Sequence, residues 1–157
     1  MLDLSAHLPE IEVEAGHVVV EEGSSSGTVW VLVSGSLELR KSDVAVNVIS
    51  RPGAIVGDVS VLLGTEVTTT AVALEPSRLR VAHDGASLLL DNPEVTRLVA
   101  VGLAQRLNFV ITYLADLTHQ YGDAPGLAIV PGVLGQLAHH QKPEARPGSS
   151  RDPEPEY

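Results

Sequence analysis

The sequence predicts a protein that is mainly β with α, in which a sandwich, roll or barrel of short strands precedes a long C-terminal helix. Two observations carry this prediction. Between Ile11 and Ala82, β-rich runs alternate with turn residues at close spacing. After Ala82, the spacing of apolar residues changes from a period of two to that of a helix. The length of 157 residues suits one ordinary domain with an appendage.

Seven runs have the composition of strands, and several alternate with a period of two, as Val29, Val31 and Val33 do. Gly, Pro, Ser and Asp residues separate the runs and favour turns. The predicted strands are His17–Glu21, Thr28–Val33, Ser36–Arg40, Val44–Ile49, Ala54–Val56, Thr68–Leu74 and Arg78–Ala82.

Two helices are predicted after the strands. Asp84–Asp91 suits a short helix. Asn92 and Pro93 then resemble a helix start, with Asn as the cap and Pro in the first turn, so a long helix is expected from Glu94 to about Gln120. We therefore expect one domain over residues 1–120, with the strands at about 11–82 and the helices at about 84–120.

The long helix carries an apolar seam, defined here as five residues spaced 4, 3, 4 and 3 apart, which is typical of a coiled coil. This seam favours pairing with a second copy of the chain, and packing along its own domain is the alternative. Val95, Leu98 and Val99 lie off the seam and are expected to contact the domain instead. The seam residues are Leu103, Leu107, Val110, Leu114 and Leu117.

The remainder of the chain divides into two further segments. Residues 121–140 form an apolar extension that is interrupted by Pro and Gly. Residues 141–157 combine four Pro residues with charges, a composition typical of a disordered tail.

Charge and composition exclude several functions. The chain has 10 Lys and Arg against 20 Asp and Glu, a net charge of −10, which disfavours nucleic acid and anionic membranes as partners. The absence of Cys excludes disulfides and thiolate metal sites. No signal peptide is visible, and no uninterrupted apolar stretch reaches the ~18 residues that span a bilayer. We therefore expect a cytoplasmic protein without a membrane partner.

Catalytic and metal-binding patterns are also missing from the sequence. Of the six His, only His139 and His140 are adjacent, and no HExxH motif occurs, so no metal site is expected. Ser24–Ser26 has no partner at a defined position to activate a hydroxyl. Trp30 is interpreted as a packing residue of its strand. The sequence predicts no catalytic residue, and the protein is expected not to be an enzyme.

The most informative segment is residues 51–73, and we call its residues 57–71 the cassette. A strand ends at Val56, Gly57 marks a tight corner, and a helical turn is expected at about Val59–Leu63. Free N–H groups at a helix start beside a Gly can bind an anion. Asp58 is open to two interpretations, a helix cap or a ligand contact. Thr68–Thr70 are likewise either ordinary strand residues or hydroxyl donors.

These residues resemble the cyclic nucleotide-binding domain of the catabolite activator type over about Glu12–Leu117. The resemblance implies a cyclic nucleotide-binding β-roll of the double-stranded jelly-roll type, followed by a long helix that makes a homodimer. Its landmarks keep their order and spacing along the chain. They are Gly16, Glu22-Gly23, Val29–Leu37, Pro52-Gly53, Gly57-Asp58, Leu62-Leu63 and Thr69-Thr70-Ala71.

The resemblance also implies a divergent ligand site. Gly57-Asp58 stands where the family has Gly-Glu, whose carboxylate binds the ribose hydroxyl. Thr69-Thr70-Ala71 stands where the family has Arg, then Ser or Thr, then Ala, so the arginine that binds the phosphate is missing. Losing such a charged hydrogen bond weakens binding by roughly 10- to 150-fold. The implied ligand-binding residues are Gly57, Asp58, Val59, Ser60, Thr69, Thr70, Ala71 and Val110.

Other arginines are candidates to replace the missing cation. Arg51, Arg78 and Arg80 are near in sequence, and each is expected to be solvated at the surface. On the long helix, Val110 and Ile111 take the positions of the family's purine-contacting hydroxyl residues, so contact with the base is also expected to be weakened.

The sequence therefore predicts a regulatory, ligand-sensing module of signal transduction that binds cAMP or cGMP weakly, or another small anion, without any other cofactor. Only 37 residues follow Gln120, so no DNA-binding domain is expected. The alternative is a dimerisation or protein-interaction scaffold that has lost nucleotide binding. The missing arginine favours the scaffold, whereas Gly57-Asp58 and Thr70-Ala71 favour the sensor.

Overall fold

The structure, a computed structural model, describes residues 1–121, 130 and 132–133. It comprises two compact units, Met1–Leu103 and Ala104–Tyr157. The first unit contains a 3-10 turn at Asp3–Ser5, eight strands, two short α-helices and the start of a long one, as the predicted β-roll with a terminal helix requires. Its strands are β1 Glu10–Val13, β2 Val18–Val20, β3 Val29–Ser34, β4 Leu37–Lys41, β5 Val44–Ile49, β6 Ile55–Val56, β7 Thr70–Ala73 and β8 Ser77–Ala82.

The strands form two four-stranded sheets in which every pairing is antiparallel. One sheet has the order β1-β8-β3-β6 and the other has the order β2-β7-β4-β5. The pairings are non-local, since β1 pairs with β8 and β4 pairs with β7. This topology brings the end of the cassette, at the start of β7, next to the end of β4.

The main core consists of apolar side chains from both sheets. In β8, for example, Leu79 and Val81 are buried whereas Arg78 is exposed, as a half-buried strand requires. Trp30 is only 8% exposed and belongs to this core, which confirms its interpretation as a packing residue. The buried core residues are Val13, Val20, Trp30, Leu32, Leu37, Val56, Val67, Ala71, Ala73, Leu79 and Val81.

A second core cluster joins β3 and β8 to the helices. The helices are α1 Asp58–Leu63, α2 Gly85–Leu90 and α3 Pro93–Tyr121. Val95 and Val99 of α3 are buried in this cluster, as predicted. Leu103, which was assigned to the seam, packs partly against the same cluster because it lies one further turn along the same helix.

Side chains cap the two helices that follow the roll. Asp84 accepts a hydrogen bond from the Ser87 N–H at 2.9 Å at the start of α2. Asn92 accepts from the N–H groups of Glu94 at 3.0 Å and Val95 at 3.3 Å, which confirms the predicted cap of α3.

Most predicted strand bounds agree with the structure to within two residues, and two differences matter. The strand β1 was not predicted, because two of its four residues are Glu and its composition is not typical of a strand. Val13 is the one residue of β1 that is buried. The strand β7 begins at Thr70, not at Thr68, so Thr68 and Thr69 belong to the loop before it.

Helix α3 is more apolar than predicted from the sequence. Its most apolar 18-residue window, within Pro93–Gln120, has a mean hydropathy of 1.5, and 6% of that window is buried. By length and composition α3 could cross a membrane, contrary to the prediction that no segment could. Single polar residues such as Arg106 and Thr112 interrupt the apolar run, but the mean hydropathy of the window stays high. A helix that packs against protein can have the same composition, so this property alone does not identify the partner of α3.

The predicted extension at 121–140 lies outside the described residues except for Tyr121, Val130, Gly132 and Val133. The predicted tail at 141–157 lies wholly outside them.

Candidate functional site

The cassette starts with a corner that only glycine can occupy. Gly57 follows β6 and has φ +90°, in the left-handed region. A Cβ atom at Gly57 would lie 2.5 Å from the carbonyl oxygen of Thr28 and 3.4 Å from Cζ3 of Trp30. The corner is therefore fixed by close packing against β3 and the residue that precedes it.

The carbonyl oxygen of the corner residue accepts two hydrogen bonds from the turn that follows it. Gly57 is the N-cap of α1, so Asp58 is the first helical residue and the interpretation of Asp58 as the cap is wrong. The Ser60 hydroxyl donates to the Gly57 carbonyl at 3.0 Å, and the Val61 N–H donates to the same oxygen at 3.2 Å. Asp58 is 3% exposed and interacts within the fold, whereas Val59 is half-buried.

The cassette ends in a more open environment. Thr68, Thr69 and Thr70 are all half-buried. The Thr70 hydroxyl oxygen accepts a hydrogen bond from the Glu22 N–H at 3.0 Å, so this hydroxyl also has a structural role. Ala71 is fully buried in the main core and pairs with Leu39 of β4.

A charged group contacts this end of the cassette. Lys41 Nζ donates to the Thr68 carbonyl at 2.9 Å and lies 2.6 Å from Oε1 of Glu22. The Ser42 N–H donates to Oε2 of Glu22 at 2.7 Å. The hydrogen bond from Lys41, and then that from Ser42, hold the pKa of Glu22 below its usual value of 4.5, although partial desolvation opposes them.

Sequence reasoning did not identify Lys41 or Glu22 as site residues. The pairing of β4 with β7 brings Lys41 to the cassette although 27 residues separate it from Thr68. The available signal was a lysine directly before the Ser42-Asp43 turn, a common surface pattern.

None of the three arginines that were candidates for the missing phosphate-binding cation has a described contact with the cassette. Arg51 is exposed, and Arg78 pairs with Glu10 at 3.2 Å. Arg80 is half-buried, and its Nη1 donates to the Leu2 carbonyl at 2.6 Å, so the prediction that it is solvated is wrong. This arginine instead attaches the N-terminal segment to β8.

A cavity of about 640 Å³ borders the middle of the cassette, a size that suits a small organic ligand. Among the described residues, Ser60 is the predicted site residue that lines it. Val110, the last predicted site residue, is on α3 in the second unit and is exposed. Within the described part of the chain, no group of three or more His, Asp or Glu residues is placed to hold a metal ion. The lining also includes Ser25–Gly27, Gly64–Val67 and His83–Asp84.

Comparison with solved structures identifies the fold. The Thermus thermophilus catabolite activator protein superposes with a TM-score of 0.60 at 21% identity, covering 87% of this chain and 81% of the other. The N-terminal domain of a transcriptional regulator from Streptomyces coelicolor A3(2) has a TM-score of 0.51 at 22% identity, covering 69% and 81%.

A third structure, described in work on a cyclic-GMP-dependent signalling pathway that regulates bacterial phytopathogenesis, has a TM-score of 0.58 at 24% identity. It covers 68% of this chain and 91% of the other. No curated protein matches the sequence. The family model described as the cyclic nucleotide-binding domain matches residues 10–86. Over those residues the chain belongs to the cyclic nucleotide-binding domain family and has the β-roll fold.

Proposed function

We propose that this chain is a regulatory module of signal transduction in which the β-roll binds cAMP or cGMP weakly, or another small anion. The observation that carries the proposal is the corner at Gly57. Its φ is +90° and an added Cβ atom would lie 2.5 Å from the Thr28 carbonyl oxygen, so the backbone of the cassette has a form that only glycine permits.

Each end of the cassette has a role in this proposal. Asp58 takes a ligand hydroxyl, and the backbone N–H groups of Val59 and Ser60 hold the anionic part of the ligand. At the other end, the hydroxyl groups of Thr69 and Thr70 face the anion beside Ala71.

Weak binding follows from the side chain at position 69. Thr69 has no charge where the family has an arginine, which removes about 10- to 150-fold of the affinity. The alternative function, a scaffold without a nucleotide ligand, is favoured by the same residue and by the packing of Trp30 beside Gly57.

Calorimetry and thermal unfolding with cAMP and cGMP separate these two functions. A nucleotide at 100 times its dissociation constant stabilises the fold by about 2.7 kcal/mol. If millimolar nucleotide gives neither heat of binding nor a shift in melting temperature, the sensor proposal fails and the scaffold remains.

The variant Thr69→Arg tests whether the cassette can still hold a phosphate. It should bind cyclic nucleotide roughly 10- to 150-fold more tightly than the unmodified chain. Leu63→Arg is the matched control, because it adds the same charge to an exposed position of the cassette that does not line the cavity. Equal gains in both variants would indicate general charge attraction to a chain of net charge −10.

We also propose that the module is a cytoplasmic homodimer that pairs through the seam of α3, with no catalytic activity and no nucleic acid or membrane partner. Leu107 and Val110 are exposed within the second unit, as are Phe109 and Tyr113, whose rings stack with centroids 6.3 Å apart. Exposed apolar residues are typical of a helix that packs against another protein surface.

Sedimentation of the full chain tests the dimer. Leu107→Asp should shift the population to monomer, whereas Gln105→Asp, about 160° away around the helix, should not. A monomeric unmodified chain would contradict the proposed dimer without affecting ligand binding.

A further inference from the structure

At the end of the cassette, two donors hold the carboxylate of Glu22. The two oxygens of Glu22 are held separately, Oε1 by Lys41 Nζ at 2.6 Å and Oε2 by the Ser42 N–H at 2.7 Å. Ser42 and Asp43 both have positive φ, 47° and 64°, and form the tight turn between β4 and β5. A cation and a backbone N–H thus act together on two oxygens of one group.

The position of Lys41 directs its side chain toward the cassette. Leu37 and Leu39 of β4 belong to the main core or pack against it, and Lys41 is two residues further along the same strand. The irregularity in the β4–β5 pairing places the additional residue on β5, so the alternation of β4 continues to Lys41. Its ammonium group accordingly reaches the Thr68 carbonyl, one residue before Thr69.

We propose that Lys41 and the Ser42 N–H are the phosphate clasp of this cassette, and that Glu22 competes with the ligand for it. This inference rests on the proposed function and names the cation that takes the place of the missing arginine. The two free oxygens of a cyclic phosphodiester replace the two oxygens of the carboxylate, one on Lys41 Nζ and one on the Ser42 N–H. No covalent bond changes in this exchange.

The exposure of the pair makes the exchange feasible. The side chain of Lys41 is 53% exposed and that of Glu22 is 28% exposed, so water screens their attraction and the carboxylate can leave. A deeply buried pair would hold its own carboxylate too firmly for a ligand to compete.

Displacement of Glu22 has a route to the rest of the fold. The Gly23 N–H donates to the Val67 carbonyl at 2.8 Å, and the Val67 N–H donates to the Ser24 carbonyl at 2.9 Å. The loop that begins at Glu22 is therefore hydrogen-bonded to the cassette. A ligand that releases Glu22 from Lys41 separates this loop from the β4–β5 turn, which gives binding a structural consequence.

Calorimetry with cAMP and cGMP on the full chain tests the clasp, at fixed ionic strength. Lys41→Met should weaken binding about 5- to 10-fold, and Glu22→Gln should strengthen it by a similar factor. Arg40→Met is the matched control, because Arg40 is the adjacent cation of β4 and pairs with Glu38 instead. It should change the affinity less than about twofold. Circular dichroism verifies that all three variants fold.

A second measurement does not depend on nucleotide binding. Inorganic phosphate titrated into Glu22→Gln should shift the backbone amide signals of Ser42 and Thr69 in NMR spectra, and the added Lys41→Met change should abolish the shifts. Absence of these shifts, or equal affinities of Lys41→Met and Arg40→Met for cyclic nucleotide, overturns the clasp. Failure of the unmodified chain, Glu22→Gln and Thr69→Arg to bind any cyclic nucleotide overturns the proposed function, even if the phosphate shifts are present.

Discussion

The two ends of the cassette differ in how they are held. At its start, a Cβ atom added to Gly57 would lie 2.5 Å from the Thr28 carbonyl oxygen, and Ser60 and Val61 both donate hydrogen bonds to the Gly57 carbonyl. At its end, Thr68 and Thr70 are held by groups from other parts of the chain, the side chain of Lys41 and the N–H of Glu22. The start is fixed by shape and local bonds, whereas the end depends on non-local polar contacts.

The two ends of the cassette therefore differ in function: one fixes the path of the backbone, and we propose that the other offers donors to a ligand. Close packing at the start fixes the path of the backbone and leaves little freedom for substitution. The half-buried end allows a ligand and a side chain to compete for the same donors, because exposed charged contacts are individually weak. Thr69, where we propose that a phosphate-binding arginine is missing, lies at this half-buried end of the cassette.

The largest effect is expected at the corner. Gly57→Ala should lower the free energy of unfolding by about 2–4 kcal/mol, because its Cβ would meet a backbone oxygen and the positive φ is strained. Gly64→Ala is the control, with φ +63° but no atom within 4 Å of the added Cβ, and should cost about 1 kcal/mol. Urea unfolding measures both. Equal losses would show that packing at the start contributes nothing beyond backbone strain.

A smaller effect is expected from the hydroxyl at the end. Thr70→Val should cost about 1 kcal/mol, because the partly buried Glu22 N–H loses its acceptor. Thr69→Val removes a hydroxyl one residue away, for which the described residues provide no bond, and should cost less than about 0.5 kcal/mol. The same urea experiment compares them. A loss at Thr69 as large as that at Thr70 would contradict the role assigned to this bond.

A smaller loss of stability is expected at the start of the cassette, because two donors bond to the same carbonyl oxygen. Ser60→Ala should cost only about 0.5 kcal/mol, because the Gly57 carbonyl still accepts from the Val61 N–H at 3.2 Å. A loss above that of Thr70→Val would mean that the start depends on this side-chain bond and that the contrast between the two ends is wrong.

The smallest effect on the fold is expected from Lys41→Met, which should nevertheless change a titration. The pKa of Glu22 should rise toward 4.5, although the Ser42 N–H still lowers it. A lowered pKa in the folded state stabilises the fold above the unfolded-state pKa, and this contribution is lost as pH falls through the folded-state pKa. NMR titration of the Glu22 carboxyl measures the shift. An unchanged pKa would mean that Lys41 does not hold Glu22 in solution.

Sequence patterns predicted most of the roll and the start of α3, where local chemistry decides the structure. The strand at Val29–Ser34 and the cap at Asn92 involve neighbours in the chain and were predicted correctly. The half-buried alternation at Val29–Val33 was wrong, because Trp30 and Leu32 are buried in the main core while Val29 is buried in the second cluster. The strand β1 was not predicted, because Glu10 and Glu12 give it a polar composition and Val13 is its one buried residue. The apolar character of α3 was underestimated because single polar residues interrupt the run.

The candidate site was predictable only in part. The corner at Gly57 has a local signal, a glycine between a strand and a short helix. The interpretation of Asp58 as a cap failed because Gly57 takes the N-cap position. Arg80 was expected at the surface, but the N-terminal segment covers β8 and offers it the Leu2 carbonyl. Such contacts depend on segments far apart in the chain.

Residue types along the chain were enough to predict the strands of the roll, the glycine corner and the cap of the long helix. These features depend on backbone conformation and residue type over a few neighbouring positions. Only the tertiary structure decided that Lys41 contacts Thr68 and that Glu22 lies between Lys41 and Ser42. Antiparallel pairing across 27 residues brings those groups together, and no local pattern encodes the register of that pairing.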